Sequence, residues 1–169
     1  MSLHKHHHAK VRERGFSDEH IAKLASQNGH APVLQSLTAE EIQRDWLKQF
    51  PSMRGNPEGA LLLRFNATTF SLKPDKPDWD EKHQRFTKYL YAWRGDQPKG
   101  SNTQPWLPSK PPTIATEGLF DALVCTAIIG TPCAAATAPS HVLRSEFPES
   151  VKTYISDADV PYHLSLIHI

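Results

Sequence analysis

Only two of the 169 residues are cysteine, and Cys125 and Cys133 have seven residues between them. That spacing fits neither a zinc knuckle nor a C-x-x-C redox pair, so both read as small core residues of a protein kept in a reducing compartment. No apolar run is long enough to span a bilayer, and the basic N-terminus lacks the apolar stretch of a signal peptide. These absences predict a soluble, cytoplasmic protein with no membrane partner. Neither sign of charge is in excess: 19 basic residues stand against 18 acidic ones, for a net charge of +1. Any hold on nucleic acid must then come from a local patch and not from the global charge. There is no internal repeat, and 38% hydrophobic residues suffice for one compact core or one and a half small ones.

Proline, by contrast, is plentiful at fourteen residues, and it gathers in QPKGSNTQPWLPSKPP (97–112). Residues 98–112 read as an extended connector, with Trp106 as its anchor. They divide a region of helices and a β-hairpin (1–97) from a second unit (113–163). In the first region, residues 8–14 followed by Gly15 read as a short helix with a glycine stop. Ser17 caps a helix over 18–27 that carries Ile21, Leu24 and Ala25 on one face. Thr38 and Glu41 form a capping box for a helix to about Phe50, closed by Pro51, with Ile42, Trp46, Leu47 and Phe50 on one side. Two such helices could form a helix-turn-helix, but single apolar stripes more often just pack on a neighbour. GALLLRF (59–65), a turn at 66–69 and TFSL (69–72) read as a hairpin, followed by a charged loop and TKYLYAWRG (87–95). His4, His6, His7 and His8 could chelate a transition metal or simply form helix surface. They lack any paired ligand spacing, so no specific metal follows from them.

The second unit carries the chemistry. In TIATEGLFDAL (113–123), residues 113–116 read as a buried strand, and Glu117-Gly118 turns the chain into an apolar helix over 119–129. In VKTYISDADV (151–160), residues 151–156 read as another short strand, with Asp157 and Asp159 just beyond it at i, i+2. Ligand sites of open α/β sheets lie outside the carboxyl ends of the strands, so Glu117, Asp157 and Asp159 are expected to converge on one rim. Hard carboxylate oxygens of this kind suit Mg2+ or Mn2+. Singly, each motif has an ordinary alternative: a helix-capping acid at Glu117, a solvated turn at the aspartates.

The pairing of E-G-x-x-D (Glu117, Gly118, Asp121) with a later D-x-D (Asp157, Asp159) resembles the Toprim domain of primases, topoisomerases and some nucleases. The forty residues from Glu117 to Asp157 leave room for a helix, a strand and a second helix, as that family's βαβα layout requires. The order of apolar strand, strand ending in Lys73, charged loop and KYL is similar to the segment before Toprim in bacterial primases and in uncharacterised plasmid and phage proteins. Lys73, Lys88 and Arg94 match basic positions there. RERGFSDEHI (12–21) is similar to the opening of the same group. DADV followed by Pro161 departs from the D-x-D-x-x-G of many members.

The resemblance implies an α/β protein: a small α+β N-terminal region leading into an incomplete Toprim-like βαβα domain. It implies Glu117 as catalytic acid or base and metal ligand, and Asp157 and Asp159 as metal ligands, with Gly118 and Asp121 in support. Lys73, Lys88 and Arg94 would bind nucleic acid or nucleotide. The function implied is Mg2+-dependent, primase-like nucleotidyl transfer in a DNA-replication protein of a mobile element, with DNA, nucleoside triphosphates and a helicase as partners. The alternatives are a Toprim-type nuclease and a non-catalytic DNA-binding module. One in-frame back-translation of LSLIHI (164–169) spells a transposon end used in sequencing-library preparation. Those six residues therefore read as a non-native tail, and the chain as an inactive fragment of a parent that continues past about His163.

Overall fold

Two helices, α1 (Lys5–Arg12) and α2 (Asp18–Ala25), open the chain in the computed structural model, which describes residues 3–26, 31–82, 84–93, 104–137 and 146–155. Ser17 caps α2 as expected: its Oγ accepts from the His20 backbone N–H at 3.2 Å, and His20 Nδ1 lies 3.5 Å from the Ser17 backbone N–H it accepts. The first helix lies further toward the N-terminus than residues 8–14, and so takes in His6 and His7 as well as His8. Tertiary contact explains the shift. His7 is 1% exposed, wedged between Ser36 and Asp75, and holds the chain helical where local propensity gives no signal.

The main sheet follows. Its strands are β1 (Leu34–Leu37), β2 (Ala60–Arg64), β3 (Thr69–Pro74) and, after a two-stranded ribbon of β4 (Trp79–Asp80) and β5 (Arg85–Phe86), β6 (Leu90–Trp93). The sheet order is β1-β2-β3-β6, antiparallel throughout. The expected hairpin is present, with Arg64 opposite Phe70. Asn66 makes its turn, its side-chain oxygen accepting the backbone N–H groups of Thr68 and Thr69, each at 2.9 Å. Neither β1 nor the ribbon inside the charged loop was expected.

Strand β2 decides how the sheet is covered. Its side chains alternate, and both sets are apolar. Ala60 and Leu62 join Leu37, Phe70, Leu72 and Ala92 on one face, under Ile42, Trp46, Phe50 and Met53. Leu61 and Leu63 join the opposite face, under Val11, Phe16, Ile21 and Ala25 of the N-terminal helices. The cover on the first face starts from the expected capping box, with Thr38 and Glu41 exchanging bonds of 3.2 and 2.8 Å. It is not one α-helix to Phe50. α3 (Ala39–Glu41) passes into a wider π-type turn over Ile42–Trp46, and Pro51–Met53 forms a 3-10 turn. The two helical segments thus lie on opposite faces of the sheet with β1 between them, which rules out a helix-turn-helix reader.

A second, parallel sheet has the order β8-β7-β9: β7 (Ile114–Thr116), then α4 (Leu119–Val124) with a π-type extension over Cys125–Ile129, then β8 (Cys133–Ala135) and β9 (Thr153–Ile155). The strand followed by a helix matches the reading of residues 113–129, and the helix ends at Gly130 in the left-handed region. Leu119, Phe120 and Leu123 of α4, with Cys133 and Ala135, complete the apolar cluster begun by Leu61 and Leu63. One core therefore spans residues on both sides of the proline-rich stretch. Trp106 ties that stretch down, exchanging backbone hydrogen bonds of 2.9 and 3.0 Å with Ala135. Cys133 is buried and Cys125 half-buried; burial, with Cys125 beside it, pushes the Cys133 thiol up to about 12.

Two outcomes follow for stability. A Cβ at Gly59 would lie 2.5 Å from the Leu37 carbonyl oxygen, a backbone atom fixed in the β1–β2 ladder. Gly59→Ala should destabilise the fold by about 1–3 kcal/mol in chemical denaturation, as overpacked sites do. The second concerns acid. Burial lowers His7 from 6.5 to about 4 despite the neighbouring Asp75 carboxylate. The unfolded chain then takes up the proton first, so stability is complete above about pH 6.5 and falls as the pH drops toward 4, by about 3 kcal/mol in all. Urea midpoints measured in a chelator should show this slope, and His7→Gln should flatten it between pH 7 and 5.

Candidate functional site

The second face of the main sheet is apolar only over its β1–β2 half. On β3 and at β6 the same face presents Ser71, Lys73, Tyr89 and Tyr91, of which Tyr89 packs against the edge of the apolar cluster. A cavity of about 470 Å³ opens there, walled on the far side by Glu117, Gly118, Phe120 and Asp121 at the junction of β7 and α4. Arg14, Lys88 and Thr137 complete the rim.

The E-G-x-x-D turn has a clear local cause. Thr116 ends β7, and its hydroxyl donates to the Gly118 carbonyl at 3.0 Å, closing the turn. The Asp121 side chain folds back over the start of α4, so that a Cβ at position 118 would lie 2.6 Å from Asp121 Oδ2. Glycine is therefore the residue that lets the Asp121 carboxylate come back beside Glu117 at the strand end. Both carboxylates line the same cavity.

Three cations face them. Arg14 lies with its guanidinium 4.4 Å from the Phe120 ring centre, a cation–π contact that aims it along the cavity wall. Lys73 Nζ is 5.7 Å from the Tyr89 ring centre. Partial burial, and then the positive charges of Arg14, Lys10 and Lys88, hold the Lys73 ammonium below its ordinary range. Such a group gains when an anion arrives. Tyr91 stays a phenol, pushed up to about 12 by desolvation, by Tyr89 and by the charge of Glu117. Ser71 is 2% exposed, lines the cavity, and its Oγ has no hydrogen-bond partner among the described residues.

Of the residues expected from sequence, the structure brings Lys73, Lys88, Glu117, Gly118 and Asp121 together around one cavity. Arg94, Asp157 and Asp159 lie outside the described residues, as do 164–169. What is described is the strand leading to the two aspartates. β9 pairs with β7 in parallel, with Thr153 opposite Ile114 and Ile155 opposite Thr116. The carboxyl ends of both strands are thereby set side by side. Arg14, Ser71, Tyr89, Tyr91 and Phe120 were not singled out beforehand. The alternation of Lys73 with Ser71, and of Tyr89 with Tyr91, was a usable signal; nothing in the sequence connects Arg14 to this place.

Compared with family models, curated proteins and solved structures, the chain gives no significant match.

Proposed function

We propose that this cavity binds the phosphate groups of a nucleotide or nucleic-acid strand together with Mg2+, as part of a primase-like nucleotidyl-transfer centre of a DNA-replication protein. The observation that carries the reading is the meeting of Glu117 and Asp121 with Lys73, Lys88 and Arg14 around one cavity. A carboxylate cluster alone would repel phosphate, and a basic cluster alone would hold no divalent cation. Set face to face, they suit a phosphate and its counter-cation together.

The donor set fits magnesium, since Glu117 and Asp121 at the β7–α4 junction offer hard carboxylate oxygens. Glu117 and Asp121 would share it with Asp157 and Asp159, which follow the strand paired in register with β7. Bound there, the ion would neutralise charge on phosphoryl oxygens. Lys73 and Lys88 hold the phosphates by charge, and Arg14 adds a planar fork of donors. Tyr89, Tyr91 and Phe120 offer ring faces for a base. Glu117, half-buried and with its charge felt at Tyr91, is the group that would accept a proton from an attacking hydroxyl.

Binding tests this without requiring turnover. Calorimetry should show a nucleoside triphosphate bound in Mg2+, with Lys73→Ala and Lys88→Ala each weakening it about tenfold, the loss of a charged hydrogen bond. Asp157→Asn with Asp159→Asn should remove the magnesium dependence and leave the fold unchanged. Equal triphosphate affinity with and without Mg2+ would overturn the reading. DNA nicking without added nucleotide would favour a nuclease, and salt-dependent DNA binding indifferent to Mg2+ a non-catalytic module.

A further inference from the structure

Away from the cavity, α1 meets the end of β3 in a cluster of two imidazoles and a carboxylate. Asp75 follows Pro74, and its backbone N–H donates to the Gly59 carbonyl at 3.0 Å, which fixes the residue at the sheet's edge. His6 Nε2 lies 2.9 Å from one carboxylate oxygen of Asp75, and His7 Nε2 lies 2.9 Å from the other. The ligand atoms of all three residues fall within 4.8 Å of one another. The His6 and His7 ring centres are 4.0 Å apart.

The surroundings are those of a ligand shell. Histidines that hold a metal through one ring nitrogen usually donate the other N–H to a fixed acceptor, which sets the tautomer and the ring orientation. His7 Nδ1 lies 2.8 Å from Ser36 Oγ, and the same oxygen accepts the His4 backbone N–H at 2.8 Å. In the metal-free chain His7 Nε2–H donates to Asp75 and Nδ1 accepts from the Ser36 hydroxyl; a metal at Nε2 takes the other tautomer, with Nδ1–H donated to Ser36 Oγ. His7 is 1% exposed and Asp75 14%, whereas His6 is 51% exposed and opens the cluster to solvent. Glu40 and Glu58 line the groove outside it, an acidic approach for a cation. Lys10 opposes one: its Nζ is 3.2 Å from Asp75 Oδ1. That side chain is 46% exposed and can swing into water.

We propose that His6, His7 and Asp75 form a binding site for a borderline transition-metal ion of the zinc, cobalt or nickel class, with water completing the coordination. Two imidazole nitrogens and one carboxylate oxygen suit that class; magnesium and calcium, which take oxygen ligands, are disfavoured. The ion would displace Lys10 and clip the N-terminal helix to a residue 68 positions away in the chain. Such a clip stabilises the folded chain by mass action.

Cobalt titration of the full chain tests it. One equivalent of Co2+ should bind with visible d–d absorption and be displaced by Zn2+, and Zn2+ should raise the thermal midpoint. His6→Ala, at a half-exposed position, and Asp75→Asn, of unchanged shape, should each weaken binding by more than about tenfold. Circular dichroism of each variant checks that it stays folded, and the two sites differ enough in burial that both are not expected to fail. His8→Ala and Glu117→Gln should leave the affinity unchanged. Undiminished binding in His6→Ala or Asp75→Asn, or loss in His8→Ala, would show loose chelation by the histidine-rich stretch and overturn the proposal. Absence of stoichiometric cobalt binding would overturn it equally.

Discussion

The burial of β2 on both faces is the constraint from which the rest of this structure follows. ALLLR is apolar at successive positions, so its two side-chain rows need two separate covers. The turns around Ile42, Trp46 and Phe50 supply one, and α1, α2 and α4 supply the other. A fully buried leucine is worth about 2 kcal/mol, so Leu61, Leu62 and Leu63 together outweigh any single cap or turn in the chain. The consequence reaches the cavity. Helices gathered over the β1–β2 half leave the β3–β6 half of that face to Ser71, Lys73, Tyr89 and Tyr91, and the β7–α4 junction, held on the same core by Leu119 and Phe120, becomes the opposite wall.

What could be read from the sequence was what local chemistry decides. The capping boxes at Ser17 and Thr38 each need only four residues, and both form. The β2–β3 hairpin was visible because Asn66 supplies its turn, and the helix after Gly118 because the Glu117-Gly118 turn leads into an apolar run. β1 was missed because LQSL has no strict alternation and owes its extended form to pairing with β2. The start of α1 was missed for a related reason, since His7 is buried by residues 29 and 68 positions away. The π-type turns after α3 and α4 depend on how their apolar faces settle on the two cores, and no sequence period announces that.

The candidate site divides along the same line. Glu117, Gly118 and Asp121 were legible as one turn, and Lys73 and Lys88 as a basic accompaniment to it. Their meeting was not legible from spacing, since the two groups belong to different sheets joined through a proline-rich stretch. Trp106 joins that stretch to Ala135 of β8 by backbone hydrogen bonds, and the Asn66 side chain of the β2–β3 turn donates to the Gln104 carbonyl at 3.3 Å, so the stretch is held at both sheets. Arg14 arrives by a third route, from the turn after α1, and lies over the ring of Phe120.

That convergence also separates the two sites. Lys73 and Asp75 are two residues apart at the end of β3, so their side chains leave the chain on the same side, yet they meet different neighbours. Lys73 leans toward Tyr89 and the cavity, whereas Asp75 is drawn to the imidazoles of α1. Burial acts to raise the Asp75 carboxyl, and hydrogen bonds from His6, Lys10 and His7 outweigh it, holding the group below its ordinary range. Lys10 stands between the two, bonded to Asp75 and adding to the positive charge felt by Lys73. A cation bound at Asp75 would release Lys10 from that bond. Lys10 is thus a side chain shared by the Asp75 cluster and the electrostatics of Lys73, bonded to the first and felt by the second.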